Sequence, residues 1–248
     1  MYKSLKLAVL LAVSLVMLAS SADADGLFLK LPEDGTKVSY SVKISGENPP
    51  PAGFKMALTI SSVGKVQHEG KACRWIEVAF LTEVGEMRRD KFHKLLIPEA
   101  QLKKGGNPIG HLVKAYRKQG DGPAVEDKQA ASARGGPLPV LLGGPVKDAK
   151  KLEVTTLETG LGTLETTGLK GTAVYTEAAT EGDGDDYQDE FKLKMDTEFR
   201  THDKVPFGVA QAVLAFKVDT GSDERTGVIT FTVDKVSTEA TSALPDSK

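Results

Sequence analysis

Chemistry needs particular side chains at particular spacings, and the four histidines are the first place to look. They are His68, His93, His111 and His202. None stands at H-x-H or H-E-x-x-H spacing, so the usual zinc-hydrolase signature is missing. His93 and His111 flank one central passage. They read either as a pair that meets in space or as two polar residues at the rim of a helix–sheet contact. The lone cysteine, Cys73, precedes Trp75 and Ile76 in a strand pattern. A reactive thiol needs an electropositive, accessible setting. Strand alternation sends Arg74 to the opposite face, so Cys73 reads as a small buried hydrophobe.

Other signatures fail for want of partners. Ser62-Val63-Gly64-Lys65 spells S-x-x-K, but it lies at a strand end, and neither S-D-N nor K-T-G follows. There is no G-x-S-x-G elbow and no phosphate-binding loop, and Gly160-Leu161-Gly162 lacks the third glycine of a dinucleotide loop. The acidic stretch 181–190 resembles the opening of a calcium loop. A loop starting at Asp183 would need glycine at its sixth position, where Gln188 stands. The stretch reads as an acidic hairpin loop, with weak calcium binding as the alternative. No catalytic, cofactor-binding or metal-ligating residue is assigned, and no cofactor is expected.

The address is easier to read. Lys3 and Lys6 precede an apolar run at 7–19, and Ala22-Asp23-Ala24 is a small-x-small cleavage site. The run is shorter than the ~20 residues of a membrane span. Residues 1–24 are therefore expected to be a cleaved signal peptide, and the mature chain exported to the periplasm or outside the cell. With one cysteine, no intramolecular disulfide can form, so stability must come from the core. A net charge of −2 gives no reason to expect nucleic acid as a partner. No later segment reads as a stable membrane span.

Most of the chain alternates. Val38, Tyr40, Val42 and Ile44 share one face; so do Phe54, Met56, Leu58 and Ile60, then Ile76, Val78 and Phe80. A fourth strand over 86–97 ends at Pro98, which cannot donate to a ladder. The short turns between these strands imply an antiparallel meander. In the second half, Phe191, Leu193, Met195, Thr197 and Phe199 alternate; so do Ala210, Ala212, Leu214, Phe216 and Val218, and then Ile229, Phe231 and Val233. Leu152 and Val154 begin one further strand, and 164–175 holds one or two more, broken by Gly168 and Gly171.

One passage departs from the strand pattern. Asn107 is a good N-cap and Pro108 suits a first helical position. Ile109, Leu112, Val113 and Tyr116 then fall at i, i+3, i+4 and i+7, which predicts a helix over 107–118 with that stripe facing inward. The apolar run at 137–145 reads as a buried crossover turn or as a lid over an apolar cavity. From these two segments the candidate cavity residues are Ile109, Leu112, Val113, Tyr116, Leu138, Leu141 and Leu142. Nine basic residues in 88–118 and ten acidic ones in 177–203 suggest two segments that lie side by side; a basic patch for an anionic surface is the alternative. After Ser237 the chain is polar and is expected to fray.

Neither half offers a second layer to cover its sheet. The fold class expected is therefore mainly β (α+β): a curved antiparallel half-barrel of about nine to eleven strands, wrapped around one or two short helices. It would form a single domain over 25–240, with 241–248 as a polar tail. The early meander over 36–80, the helix at 107–118 and the turn Val205-Pro206-Phe207-Gly208 before a long strand resemble the LolA/LolB-type lipoprotein-carrier superfamily. That resemblance implies a sheet of about eleven strands curled around inserted helices, and an apolar inner face that takes acyl chains. It brings no site residue with it, and fold likeness does not fix function. Two functions are carried forward. One is an exported, non-catalytic protein that binds a lipid or other hydrophobic ligand in the concavity. The other is an envelope interaction protein with a filled core. An enzyme is the least supported class.

Overall fold

Period-two alternation puts every apolar strand face on one side of a sheet, and the computed structural model follows that rule. It describes residues 26–47, 49–103, 106–128, 130, 142, 146–177, 191–219 and 224–244; the leader therefore lies outside the described residues. The first meander is β1 (Lys37–Gly46), β2 (Phe54–His68), β3 (Lys71–Val84), β4 (Met87–Pro98), β5 (Lys114–Gln119) and the two-residue β6 (Val125–Glu126). The second is β7 (Lys147–Thr159), β8 (Gly162–Glu177), β9 (Phe191–Thr201), β10 (Val209–Asp219) and β11 (Glu224–Ser237).

First and last strands join the two. β1 pairs antiparallel with β11 from Lys37 opposite Ser237 to Gly46 opposite Gly227. The result is one 11-stranded sheet, ordered β6-β5-β4-β3-β2-β1-β11-β10-β9-β8-β7, with β6 and β7 as its unpaired edges. The sheet is curved. The amide of Gly160, in the β7–β8 turn, donates to the Val233 carbonyl of β11 at 3.0 Å, although three strands lie between β7 and β11 in the sheet order.

The inner face is the core. Val38, Tyr40, Leu58, Ile60, Ile76, Val78, Leu95, Met195, Phe199, Leu214 and Phe231 form one buried cluster. The alternating positions read from the sequence therefore do face the same way. Irregular segments fill the space against them: Leu27 and Phe28 ahead of β1, Leu102 and Ile109 between β4 and β5, and Val205 and Phe207 between β9 and β10; Leu142 joins them in the core. Phe28 and Phe207 meet with ring centroids 5.6 Å apart, and the Leu29 amide donates to the Phe207 carbonyl at 3.0 Å. Gly208 closes this turn at φ +94°, where a Cβ would stand 2.9 Å from Leu29 Cβ, so the turn needs glycine on both counts. The Tyr40 hydroxyl donates to the Val209 carbonyl at 3.0 Å, and burial pushes its phenol above the ordinary value.

Three expectations change. The helix over 107–118 does not form. The Asn107 side chain does cap one turn, accepting the Gly110 amide at 2.8 Å, but the turn does not propagate. Gly110 weakens a helix interior, and twelve residues is marginal length for a helix without packing. The Val113 amide goes instead to the Leu96 carbonyl, and Lys114–Gln119 adds to β4 as a strand. Ahead of it, Glu99–Gln101 forms a 3₁₀ turn. Gly168 and Gly171 do not break β8; they let it sit close. A Cβ at Gly168 would stand 1.9 Å from the Phe199 carbonyl oxygen, and one at Gly171 would strike Val146 and Lys147. Five strands separate β4 from β9 in the sheet, and residues 178–190, which hold most of the acidic segment, lie outside the described residues. The chain after Ser237 is pinned as far as Leu244, as described below.

Two outcomes follow from the packing. Phe207→Ala, which removes a fully buried ring, should lower unfolding free energy by about 3–5 kcal/mol in denaturant titration; Met87→Ala, on the surface, should change it by less than about 0.5 kcal/mol. His93 is held below its ordinary value, first by burial and then by Lys91 and Arg117, with Asp127 opposing. It stays neutral in the fold while the unfolded chain takes up a proton below pH 6.5. The unfolded state then binds more protons, so this contribution to stability falls as pH drops from 7 towards 5. His93→Gln should flatten that slope.

Candidate functional site

The structure divides the candidate cavity residues. Ile109 joins the buried core and Leu112 packs against it. Val113 is half-buried just ahead of β5. Tyr116 points the other way: in β5 it stands opposite Lys94 of β4, which stands opposite Glu77 of β3, and these share the outer face. The inward stripe of four is thus two residues deep, because a strand turns alternate side chains to opposite faces. Leu142 is fully buried in the core; Leu138 and Leu141 lie outside the described residues, as does the acidic stretch 181–190.

Among the described residues no three His, Cys, Asp or Glu side chains gather as metal ligands. No helix there is long and apolar enough to cross a membrane. Cys73 is buried, and desolvation raises its thiol, which makes it a poor nucleophile.

Arg74 is the buried cation of the inner face. It sits two residues before Ile76 on the same side of β3 and is only 2% exposed. Its Nε and Nη2 both donate to Glu99 Oε1, at 3.0 and 2.7 Å. Nη1 donates to the Pro32 carbonyl and to Ser62 Oγ, and Ser62 Oγ donates to Asp34. The group ties the segment before β1 and the 3₁₀ turn to the sheet, and every guanidinium nitrogen is used. That is structural work.

The outer face of β2–β5 carries the most distinctive side-chain arrangement. Trp75 and Tyr116 lie with centroids 6.0 Å apart, tilted by 40°. Lys94, between them in strand order, is 1% exposed and holds Nζ 5.3 Å from the Trp75 ring. Lys114 Nζ stands 5.1 Å over Tyr116. The β2–β3 register shifts between Ser62 and Lys65, a bulge that lifts Val63 and Gly64 out of the ladder. Gly64, at φ +148°, leaves a gap: a Cβ there would lie 3.8 Å from Trp75 Cδ1. Bulge and rings enclose a depression of about 360 Å³ lined by Val63, Gly64, Lys65, Val66, Trp75, Lys94 and Tyr116.

Beside it the C-terminal segment is strapped down. The Glu77 carboxylate accepts the Ala243 amide at 3.0 Å, the Leu244 amide at 3.3 Å and the Ser242 hydroxyl at 2.8 Å. Lys94 Nζ donates to the Leu244 carbonyl at 3.1 Å, and the Leu244 side chain is 1% exposed. The polarity of the chain after Ser237 suggests fraying; two buried charges on β3 and β4 hold 242–244 instead. Nothing in sequence spacing brings Glu77, Lys94 and Tyr116 together, because only the register of three strands does so. Glu77 opposite a lysine in a period-two pattern was the available signal.

The sequence matches no protein-family model, and no curated protein matches it. Three solved structures are similar in part. A candidate exported protein with a YmcC-like fold from Bacteroides fragilis aligns at 8% identity and TM-score 0.38, over 85% of this chain and 99% of its own. A candidate lipoprotein from Parabacteroides distasonis aligns at 7% and 0.34, over 86% and 100%. A β-barrel-like protein of a domain of unknown function from Brucella abortus aligns at 10% and 0.26, over 84% and 98%. Likeness of this strength carries no inference about function.

Glu77→Ala leaves the tail amides without their acceptor. We expect a loss of about 1–3 kcal/mol in stability and a tail that carboxypeptidase trims past Leu244, where the parent chain resists.

Proposed function

We propose that this chain is an exported, non-catalytic protein of the cell envelope, a half-barrel whose interior is filled by its own side chains and which acts through its surface. The leader-like run at 7–19 and its cleavage site support export. One observation carries the rest: Leu27, Phe28, Leu102, Ile109, Leu142 and Phe207, all buried, occupy the inner face where a guest would lie. Interiors packed in this way have no room for an acyl chain unless side chains move.

The other reading is a carrier of the lipoprotein-carrier type, with a lipid in the concavity. It needs Phe28 and Phe207 to part and the Leu29–Phe207 hydrogen bond to open. The burial of these groups in the empty chain favours the filled core.

Native mass spectrometry of the mature chain, purified without detergent from its expression host, separates the two. The filled-core reading expects a single mass equal to the polypeptide, and no lipid in the organic extract. A stoichiometric lipid adduct would overturn it in favour of the carrier.

A further inference from the structure

Buried charge is costly, and the outer face of the sheet holds two such groups opposite each other. Glu77 is 6% exposed and Lys94 is 1% exposed. What they hold is peptide backbone. The Glu77 carboxylate accepts the Ala243 amide with both oxygens, at 3.0 and 3.1 Å, and Oε2 also accepts the Leu244 amide and the Ser242 hydroxyl. Lys94 Nζ donates to the Leu244 carbonyl. The amide and the carbonyl of one residue are thus held by an acid on β3 and an ammonium on β4. The tail arrives across the strands rather than along them. Its Ala240 amide donates to the Gly35 carbonyl ahead of β1, and four residues later Leu244 meets β4. Beside Glu77 the outer face is made of small residues: Ser61 stands opposite Glu77 and Thr59 opposite Ala79, each at most 8% exposed.

We infer that this part of the outer face is a recognition site for an extended segment of another polypeptide, and that residues 242–244 are a built-in competitor that fills it. The contacts define the segment it takes. A hydroxyl residue stands two positions before a leucine; the hydroxyl and the next two amides meet Glu77, the leucine carbonyl meets Lys94, and the leucine side chain is buried. The residue between them is open to choice, since Ala243 is exposed and contributes its amide. The tail is suited to exchange. It follows β11 outside the strand ladder, so its departure breaks no strand pairing. An empty site would strand buried charges, whereas an incoming segment restores the same bonds, so exchange is favoured over emptying. A second copy of this chain is the weaker occupant. Its own tail is engaged in the same way, at an effective concentration on the order of mM, and must be released first. This inference goes beyond the filled-core reading and does not depend on it, because the site is on the opposite face of the sheet from the concavity.

The full mature chain carrying Leu244→Asp tests the inference, since the substitution removes the tail's apolar anchor and leaves every strand residue in place. The probe is a fluorescein-labelled, amidated peptide copying residues 239–245, read by anisotropy. We expect saturable binding to the Leu244→Asp chain with Kd below about 1 mM. The parent chain should bind the peptide about tenfold more weakly, because its tethered tail competes. A control peptide that itself carries Leu244→Asp should not bind. Adding Glu77→Gln to the Leu244→Asp chain should weaken the peptide about tenfold, through loss of the charge-assisted bonds. If Leu244→Asp does not reproduce the parent's circular dichroism, Leu244→Ala takes its place. Four results would overturn the inference: no saturable binding to the tail variant, equal affinity for variant and parent, equal binding of the control peptide, or binding unchanged by Glu77→Gln. A parent chain that dimerises in sedimentation below about 1 mM, and stops doing so with Leu244→Asp, would overturn it in favour of a second copy as the occupant.

Discussion

A single sheet has two faces, and its apolar one must be covered by something. Eleven strands in one sheet present a continuous inner face, and the sheet closes over it in part by curling until the β7–β8 turn reaches β11. Among the described residues, what remains is filled by the irregular stretches before β1, between β4 and β5 and between β9 and β10, together with Leu142. The rest of the structure depends on that cover. Irregular backbone brought against an apolar face carries polar groups that need partners. The Leu29 amide finds the Phe207 carbonyl, the Val209 carbonyl finds the Tyr40 hydroxyl, and the Pro32 carbonyl finds Arg74. Buried donors and acceptors thus fix where each filler segment sits, while the apolar side chains supply the driving force.

The outer face shows what happens where that demand is weaker. Most of its side chains are polar and face solvent, yet over β3 and β4 it is buried again by the tail. Glu77 and Lys94 are expensive groups to bury. They are tolerated because the tail backbone supplies donors to one and an acceptor to the other. The aromatic pair and the bulge beside them complete a built surface rather than a featureless one.

Strand faces were legible because period two is a direct consequence of strand geometry: Val38 to Ile44, Leu193 to Phe199 and Ala210 to Val218 all kept their assigned side. The passage 107–118 was not, because Ile109, Leu112, Val113 and Tyr116 satisfy a helical period while Val113, Ala115 and Arg117 satisfy a strand period equally. Tertiary pairing with β4 decided between them. Charged residues carried no comparable signal. Arg74, Glu77 and Lys94 are each buried beside a partner more than twenty residues away in sequence. Such partners have no local signature. Glu77 and Lys94 hold the tail to the outer face, and that contact emerged only from strand register.

The central claim is that the chain fills its own concavity, and the segment before β1 is where this is most exposed to test. Native-state hydrogen exchange of the Leu29 amide in the ligand-free protein measures it directly. If Leu27 and Phe28 are core and Leu29 is bonded to Phe207, that amide should exchange as slowly as those of β1 and β10 and require global unfolding. Exchange at the rate of an open loop, slowing only when lipid is added, would show that the segment is a lid over a binding cavity and would contradict the account.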